Sequence, residues 1–168
     1  MRPRHDAREK GSTLEVARAL AQRARVAIIR SNFHLEMTER LEAKCLETLT
    51  GAGIPMENID RFAVPGCLEI PWAAHRLAVQ KKYDLLIALG VVIRGDTYHF
   101  DIVANECARG TMQVSLSHDV PIVFEVLATY NLRDAARRSG NNALNKGIEA
   151  GRTALRLLAT MSEIAGKG

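Results

Sequence analysis

The segment YDLLIALGVVI, residues 83–93, is apolar almost throughout. A strand with one wet face alternates apolar and polar residues, whereas a short unbroken apolar run fits a strand covered on both faces. Such a strand asks for a helical layer on each side of its sheet. The surrounding sequence supplies those layers. RVAIIR (25–30), IDRFAV (59–64) and VPIVFEVLA (120–128) read as three further strands. Residues 34–50 carry Met37, Leu41, Cys45, Leu46 and Leu49 at helical spacing, and GAGIP stops that helix. EIPWAAHRLAVQKK predicts a second helix, with Pro71 tolerated in its first turn. Residues 97–116, LRDAARRSG and NALNKGIEAGRTALRLLATM predict three more, Gly140 separating the last two.

Strand and helix alternate, and no Asn-Gly turn joins two strands as a hairpin would require. The pattern predicts an open parallel sheet with helices on both faces. Ser12 and Glu15 fit a capping box ahead of LEVARALAQRA, a short helix that needs a partner surface. Residues 1–11 are expected to be a disordered basic tail, and residues 12–168 a single α/β domain.

Composition narrows the function. The chain is 47% hydrophobic but only 5% aromatic, so its core is aliphatic. No apolar run approaches the roughly 20 residues that span a bilayer, and the basic N-terminus has no following apolar stretch of a secretory signal. The expected location is the cytoplasm, with no membrane partner. The formal charge of +4 is not gathered into a basic stripe with interleaved aromatics, which argues against a nucleic-acid partner. Cys45, Cys67 and Cys107 lie far apart with no CxxC pair, so they read as reduced packing thiols rather than a zinc or redox site. Neither GxGxxG nor GxxxxGK[ST] occurs, which leaves dinucleotide and P-loop chemistry unsupported.

In open α/β sheets, ligands sit beyond the carboxyl ends of the strands. Four such ends carry chemistry: SNFH (31–34), VPGCLE (64–69), VIRGDTYH (92–99) and FEVLATYN (124–131). Phe33 either staples the helix that follows it or stacks on a planar heterocycle. Gly66 either serves a turn or lets backbone approach a ligand. Glu69 is favoured by the first turn of a helix, and its carboxylate equally accepts hydrogen bonds from a base or amine. Asp96 and Thr97 resemble an N-cap pair, and a helix N-terminus at a strand end suits phosphate. His99, two residues on, has the proton affinity for transfer near neutral pH. Arg138 is either surface charge or a forked clamp on phosphate, and Lys146 would add a point charge. His75 reads as a packing or surface residue within its helix, His118 as part of a turn, His34 as a helix cap and His5 as tail.

VPGCLEIP, ALGVVIRGDTYHFDIVANECARG, VPIVFEVL and NKGIEAG, in this order between about residues 25 and 160, together strongly resemble the 6,7-dimethyl-8-ribityllumazine synthase family of riboflavin biosynthesis. The resemblance implies a flavodoxin-like three-layer α/β fold with a four-stranded parallel sheet. It implies condensation of 5-amino-6-(D-ribitylamino)uracil with 3,4-dihydroxy-2-butanone 4-phosphate to the lumazine, phosphate and water, with no metal or organic cofactor. It also implies a homo-oligomer, a pentamer or an assembly of pentamers.

By position, the resemblance puts Phe33 on the pyrimidinedione ring and Cys67, Leu68 and Glu69 along the ribityl chain. Val91, Val92 and Ile93 would offer backbone groups to the pyrimidine, and Asp96 and Thr97 would face the butanone phosphate. His99 matches the family's proton-transferring histidine. Phe124 matches a pocket residue supplied by a neighbouring subunit, Arg138 the phosphate-binding arginine, and Lys146 sits near it. The chain departs from the family at Cys67 and Leu68, which replace Ala and Phe, at Asp96, where Glu or Ala is common, and in SGNNALNKG, where Leu144 replaces a glycine. Two other readings are a non-catalytic flavin- or lumazine-binding paralogue and a shell-forming one. A receiver-type signalling domain would need an acidic cluster at the first strand end, which RSNFH lacks.

Overall fold

The computed structural model describes residues 19–166. The basic tail and the Ser12–Glu15 capping box lie outside the described residues, which begin within a helical segment ending at residue 23. Four strands follow: β1 (Val26–Ser31), β2 (Ile59–Val64), β3 (Leu85–Ile93) and β4 (Ile122–Thr129). All pair in parallel, in the order β2-β1-β3-β4. Helices α1 (Leu35–Gly51), α2 (Ile70–Ala78), α3 (His99–His118), α4 (Leu132–Ser139) and α5 (Lys146–Ala165) connect and flank them.

The period-2 alternation of strand side chains divides the core in two. Val26 and Ile28 of β1, with Leu85, Ile87, Leu89 and Val91 of β3, pack against Leu41, Cys45 and Leu49 of α1, Ala135 of α4, and Ala150 and Ala154 of α5. The intervening residues, Ala27 and Ile29 with Leu86, Ala88 and Val92, meet Ile70, Ala74 and Leu77 of α2 and Cys107 and Val114 of α3. The apolar run of β3 is therefore used on both faces, as expected, and the fold is a three-layer α/β sandwich.

Three boundaries differ from expectation. Helix α2 stops at Ala78, and the chain turns through Lys81 at φ 51°. Helix α3 opens at His99 rather than at residue 97. Helix α5 opens only at Lys146, because two asparagines make 141–145 a turn. The Asn142 side chain accepts the Leu144 N–H at 2.8 Å, and that of Asn145 accepts the Gly147 N–H at 2.8 Å. Asparagine competes for backbone groups in this way more readily than helix periodicity reveals.

Helices α5 and α1 approach so closely at Gly147 that a Cβ there would overlap the Leu41 carbonyl oxygen. At the same junction Asn145 Nδ2 donates to the Gly140 carbonyl at 2.8 Å, which ties the turn to the end of α4.

Candidate active site

The pocket begins with a mismatch in strand length. β3 pairs with β1 only as far as Leu89, opposite Arg30, but continues beside β4 to Ile93, opposite Thr129. From Gly90 onward, one edge of β3 has no neighbouring strand. In a parallel strand, the N–H and C=O of one residue point to the same side and successive residues alternate sides. The even-numbered residues face β4, since Leu86 N–H donates to Pro121 O at 3.0 Å and Arg94 N–H to Thr129 O at 2.9 Å. Val91 and Ile93 therefore turn their backbone groups toward the vacated side. The Val92 backbone faces β4, and its side chain joins the core beneath α2 and α3.

Around this open edge is a cavity of about 400 Å³, a size that suits a small organic ligand. Phe33 and His34 form one wall, and Gly66, Cys67, Leu68 and Glu69 a second. Val91, Val92 and Ile93 form the floor, while Gly95, Thr97, His99, Phe100 and Val103 close the far side. Phe33 is 65% exposed, so its ring is not consumed in stapling α1. It touches His34 edge-on, ring centres 4.8 Å apart, and its backbone is held by an N–H bond to Ser31 Oγ. His34 occupies the N-cap of α1 in a left-handed conformation, φ 57°, but its side chain does not cap the helix. Burial holds its imidazole below the ordinary value.

Cys67 and Gly90 are a fitted pair. A Cβ on Gly90 would stand 2.6 Å from the Cys67 sulfur, so the bare backbone in β3 makes room for the thiol. Burial pushes the Cys67 thiol up, which keeps it protonated and unreactive. Leu68 is exposed, and Glu69 precedes the first residue of α2.

The approach to α3 corrects one expectation. Neither Asp96 nor Thr97 caps the helix: its N-cap is Tyr98, and no side-chain oxygen bonds to the first turn. Residues 94–97 instead carry the chain away from the end of β3 before the helix begins. Thr97 lines the cavity, while Asp96 is exposed and outside its walls. His99, the first residue of α3, is exposed on the cavity side. Phe100 and Val103, which sequence reasoning missed, join it there. The i, i+1, i+4 spacing of these three on one helix face was the available signal.

Phe124, Arg138 and Lys146 lie outside this cavity. Phe124 stands exposed on the edge strand β4. Arg138 and Lys146 line a second cavity of about 520 Å³, with Arg137, Arg152, Arg156 and Glu149 among its other walls. Five cationic side chains there face one carboxylate, a composition that attracts anions. Arg138 is held 3.4 Å from Asp134 and Lys146 pairs with Glu149.

Glu125 of β4 is half-buried in the same neighbourhood. Burial, with a smaller contribution from Glu149 and against the pull of Lys146, pushes its carboxyl from 4.5 up to about 7. A carboxyl raised on folding stabilises the native state most below its unfolded value, and that stabilisation is lost as pH climbs through the folded one. Thermal melts of Glu125→Gln should therefore lose the decline that the parent shows between pH 4.5 and about 7. At pH 8 the variant should melt higher than the parent. Parallel pH profiles would sink this assignment.

The sequence profile of the family described as 6,7-dimethyl-8-ribityllumazine synthase matches residues 23–162. A curated relative from Leuconostoc mesenteroides, named 6,7-dimethyl-8-ribityllumazine synthase, is 45% identical over 140 residues, covering 83% of this chain and 90% of that protein.

Proposed function

The chain belongs to the 6,7-dimethyl-8-ribityllumazine synthase family, and from that premise we propose that it carries out the family's condensation in riboflavin biosynthesis, with the cavity at the end of β3 as its pyrimidine site. The observation that carries the assignment of the site is the unpaired edge of β3 beside His99. A pyrimidinedione presents alternating N–H and C=O groups along its rim. The Val91 and Ile93 backbone groups offer the complementary set, and Phe33 is free to cover the ring face.

In the proposed reaction the 5-amino group adds to the butanone ketone and loses water to give a Schiff base. Loss of the C3 proton then expels phosphate and leaves an enol, which takes up a proton at its terminal carbon to become a methyl ketone; the ribitylamino nitrogen closes the second ring onto that new carbonyl with loss of water. Each stage moves a proton near neutral pH, the work assigned to His99. Arg138 and Lys146 would hold the phosphate and stabilise it as it departs.

These cations and Phe124 lie outside the cavity of their own chain, which supports a site completed by a second copy. Met112 and Leu116, on one side of α3 and 60% and 77% exposed, supply apolar surface for such contacts. A homopentamer is the proposed assembly, to be tested by mass measurement in solution. No described helix is long and apolar enough to cross a membrane. The cytoplasmic location is proposed because both substrates are strongly polar and water-borne.

The deciding experiment mixes the protein with both substrates and follows lumazine absorbance together with phosphate release. Stoichiometric appearance of both is expected; tight flavin binding without product would favour the non-catalytic paralogue instead. Arg138→Ala should raise KM for the butanone phosphate about tenfold or more, the worth of a lost charge-assisted hydrogen bond. Its effect on KM for the pyrimidine should be small. An unchanged phosphate KM would remove Arg138 from the site.

A further inference from the structure

At the other end of the sheet from the cavity, two histidines from different helices meet. Helix α3 starts beyond the carboxyl end of β3 and runs back to the start of β4, so His118 lies opposite the pocket. His75 of α2 faces it with Nδ1 3.0 Å from His118 Nε2, ring centres 4.9 Å apart and planes at 61°. Neither residue lines the proposed active site. We propose that His75 and His118 form a two-histidine site for a divalent transition-metal ion such as Zn²⁺, with water completing the coordination.

Without metal the pair is a canted N–H···N hydrogen bond, and that canting already lies close to what a shared ion requires. A straight N–H···N bond at this spacing would set the ring centres about 5.3 Å apart, and the observed 4.9 Å means that the rings are canted. A tetrahedral ion about 2.0–2.1 Å from each nitrogen requires such canting, about 35° for each ring, and holds the nitrogens about 3.3 Å apart. The existing pair is within a few tenths of an ångström of that arrangement. The rings come from two helices packed on each other, so the pair is largely preorganised.

The helix termini give a separate reason. His75 lies in the last turn of α2 and His118 in the last turn of α3. Two carboxyl-terminal helix ends, each carrying partial negative charge, thus converge on one point and favour a cation there. Imidazole donors suit Zn²⁺, Cu²⁺ and Ni²⁺, whereas Mg²⁺ and Ca²⁺ demand oxygen. Among the described residues no group of three or more His, Cys, Asp or Glu side chains is placed to hold a metal. The site therefore has two protein ligands and exchangeable positions.

The test is a Zn²⁺ titration of the full chain by calorimetry, alongside His75→Ala, His118→Ala and the double variant. His5→Ala guards against binding by the tail. The parent should take up one Zn²⁺ per chain at this site. Loss of an outer-shell contact alone costs a metal site about 10–100-fold, so each single variant should weaken uptake by at least about tenfold, and the double variant little further. X-ray absorption on the zinc-loaded parent should show two imidazole nitrogens. His75 is exposed and His118 partly so, and melting curves should show both variants folded. Lumazine formation by His75→Ala should match the parent, which keeps this test independent of the pocket assignment. A parent that takes up no Zn²⁺, or variants that bind it as the parent does, would overturn the proposal and leave the pair as a helix-to-helix hydrogen bond.

Discussion

Replacing His99 with alanine is expected to lower kcat for lumazine formation by about 10²–10⁴-fold, the range that a positioned acid–base group contributes. The expectation rests on location. His99 opens α3 on the wall of the cavity, exposed, and next to the unpaired edge of β3. Removing an exposed imidazole leaves the cores on both sides of the sheet untouched, so the variant should fold and melt like the parent. Pyrimidine binding, assigned to Phe33 and the β3 backbone, should change little. The split between a collapsed kcat and a preserved KM separates proton transfer from simple contact. Added imidazole should restore part of the rate. A variant that keeps kcat within twofold of the parent would remove His99 from the chemistry, whatever its place in the pocket.

The largest effect on stability is expected at Gly147. An alanine Cβ would overlap the Leu41 carbonyl oxygen and stand 2.8 Å from its carbon, and both are main-chain atoms of α1. A flexible side chain could turn aside, but a helix backbone cannot move without disturbing its neighbours. Here those neighbours are the packed Leu41, Cys45 and Leu49 and the Asn145 side chain that caps α5. Gly147→Ala should cost at least about 3 kcal/mol, the upper end of overpacking penalties. For a chain of this size that lowers Tm by about 6–12 °C. Gly51→Ala is the control, because nothing lies within 4 Å of the Cβ it would gain. Denaturant melts of the two variants measured side by side check the claim, and equal midpoints would refute it. The displacement would also reach Lys146, the residue before Gly147, and so weaken the proposed phosphate contacts.

Much of this was legible in the sequence. The doubly apolar run of β3 required helices on both faces, and strand–helix alternation implied parallel order. Four motifs in the right order pointed to the family by themselves. What escaped was set by local competition or by register. Asn142 and Asn145 bend 141–145 into a turn because their side chains satisfy backbone groups that a helix would otherwise use. Asp96 and Thr97 have the composition of a cap, but the chain continues past them before it can turn. Val91, Val92 and Ile93 look alike as letters. Only the pairing of β3 with its two neighbours separates the two whose backbone groups face the pocket from the one whose backbone groups face β4. His75 and His118 are 43 residues apart, and only the packing of α2 against α3 makes them a pair.

The overhang of β3 beyond β1 has a consequence for selectivity. A ring held along an unfilled strand edge is read by the order of donors and acceptors on its rim, so at the proposed site the protein would discriminate between tautomers as well as between shapes. An isomer with one rim proton shifted, or a ring alkylated at a rim nitrogen, would have the same outline and stack equally well on Phe33. It would nevertheless leave a backbone group of Val91 or Ile93 facing a like partner. If the proposed pyrimidine site is right, the strand end would therefore favour the diketo form of the pyrimidine over its hydroxylated relatives.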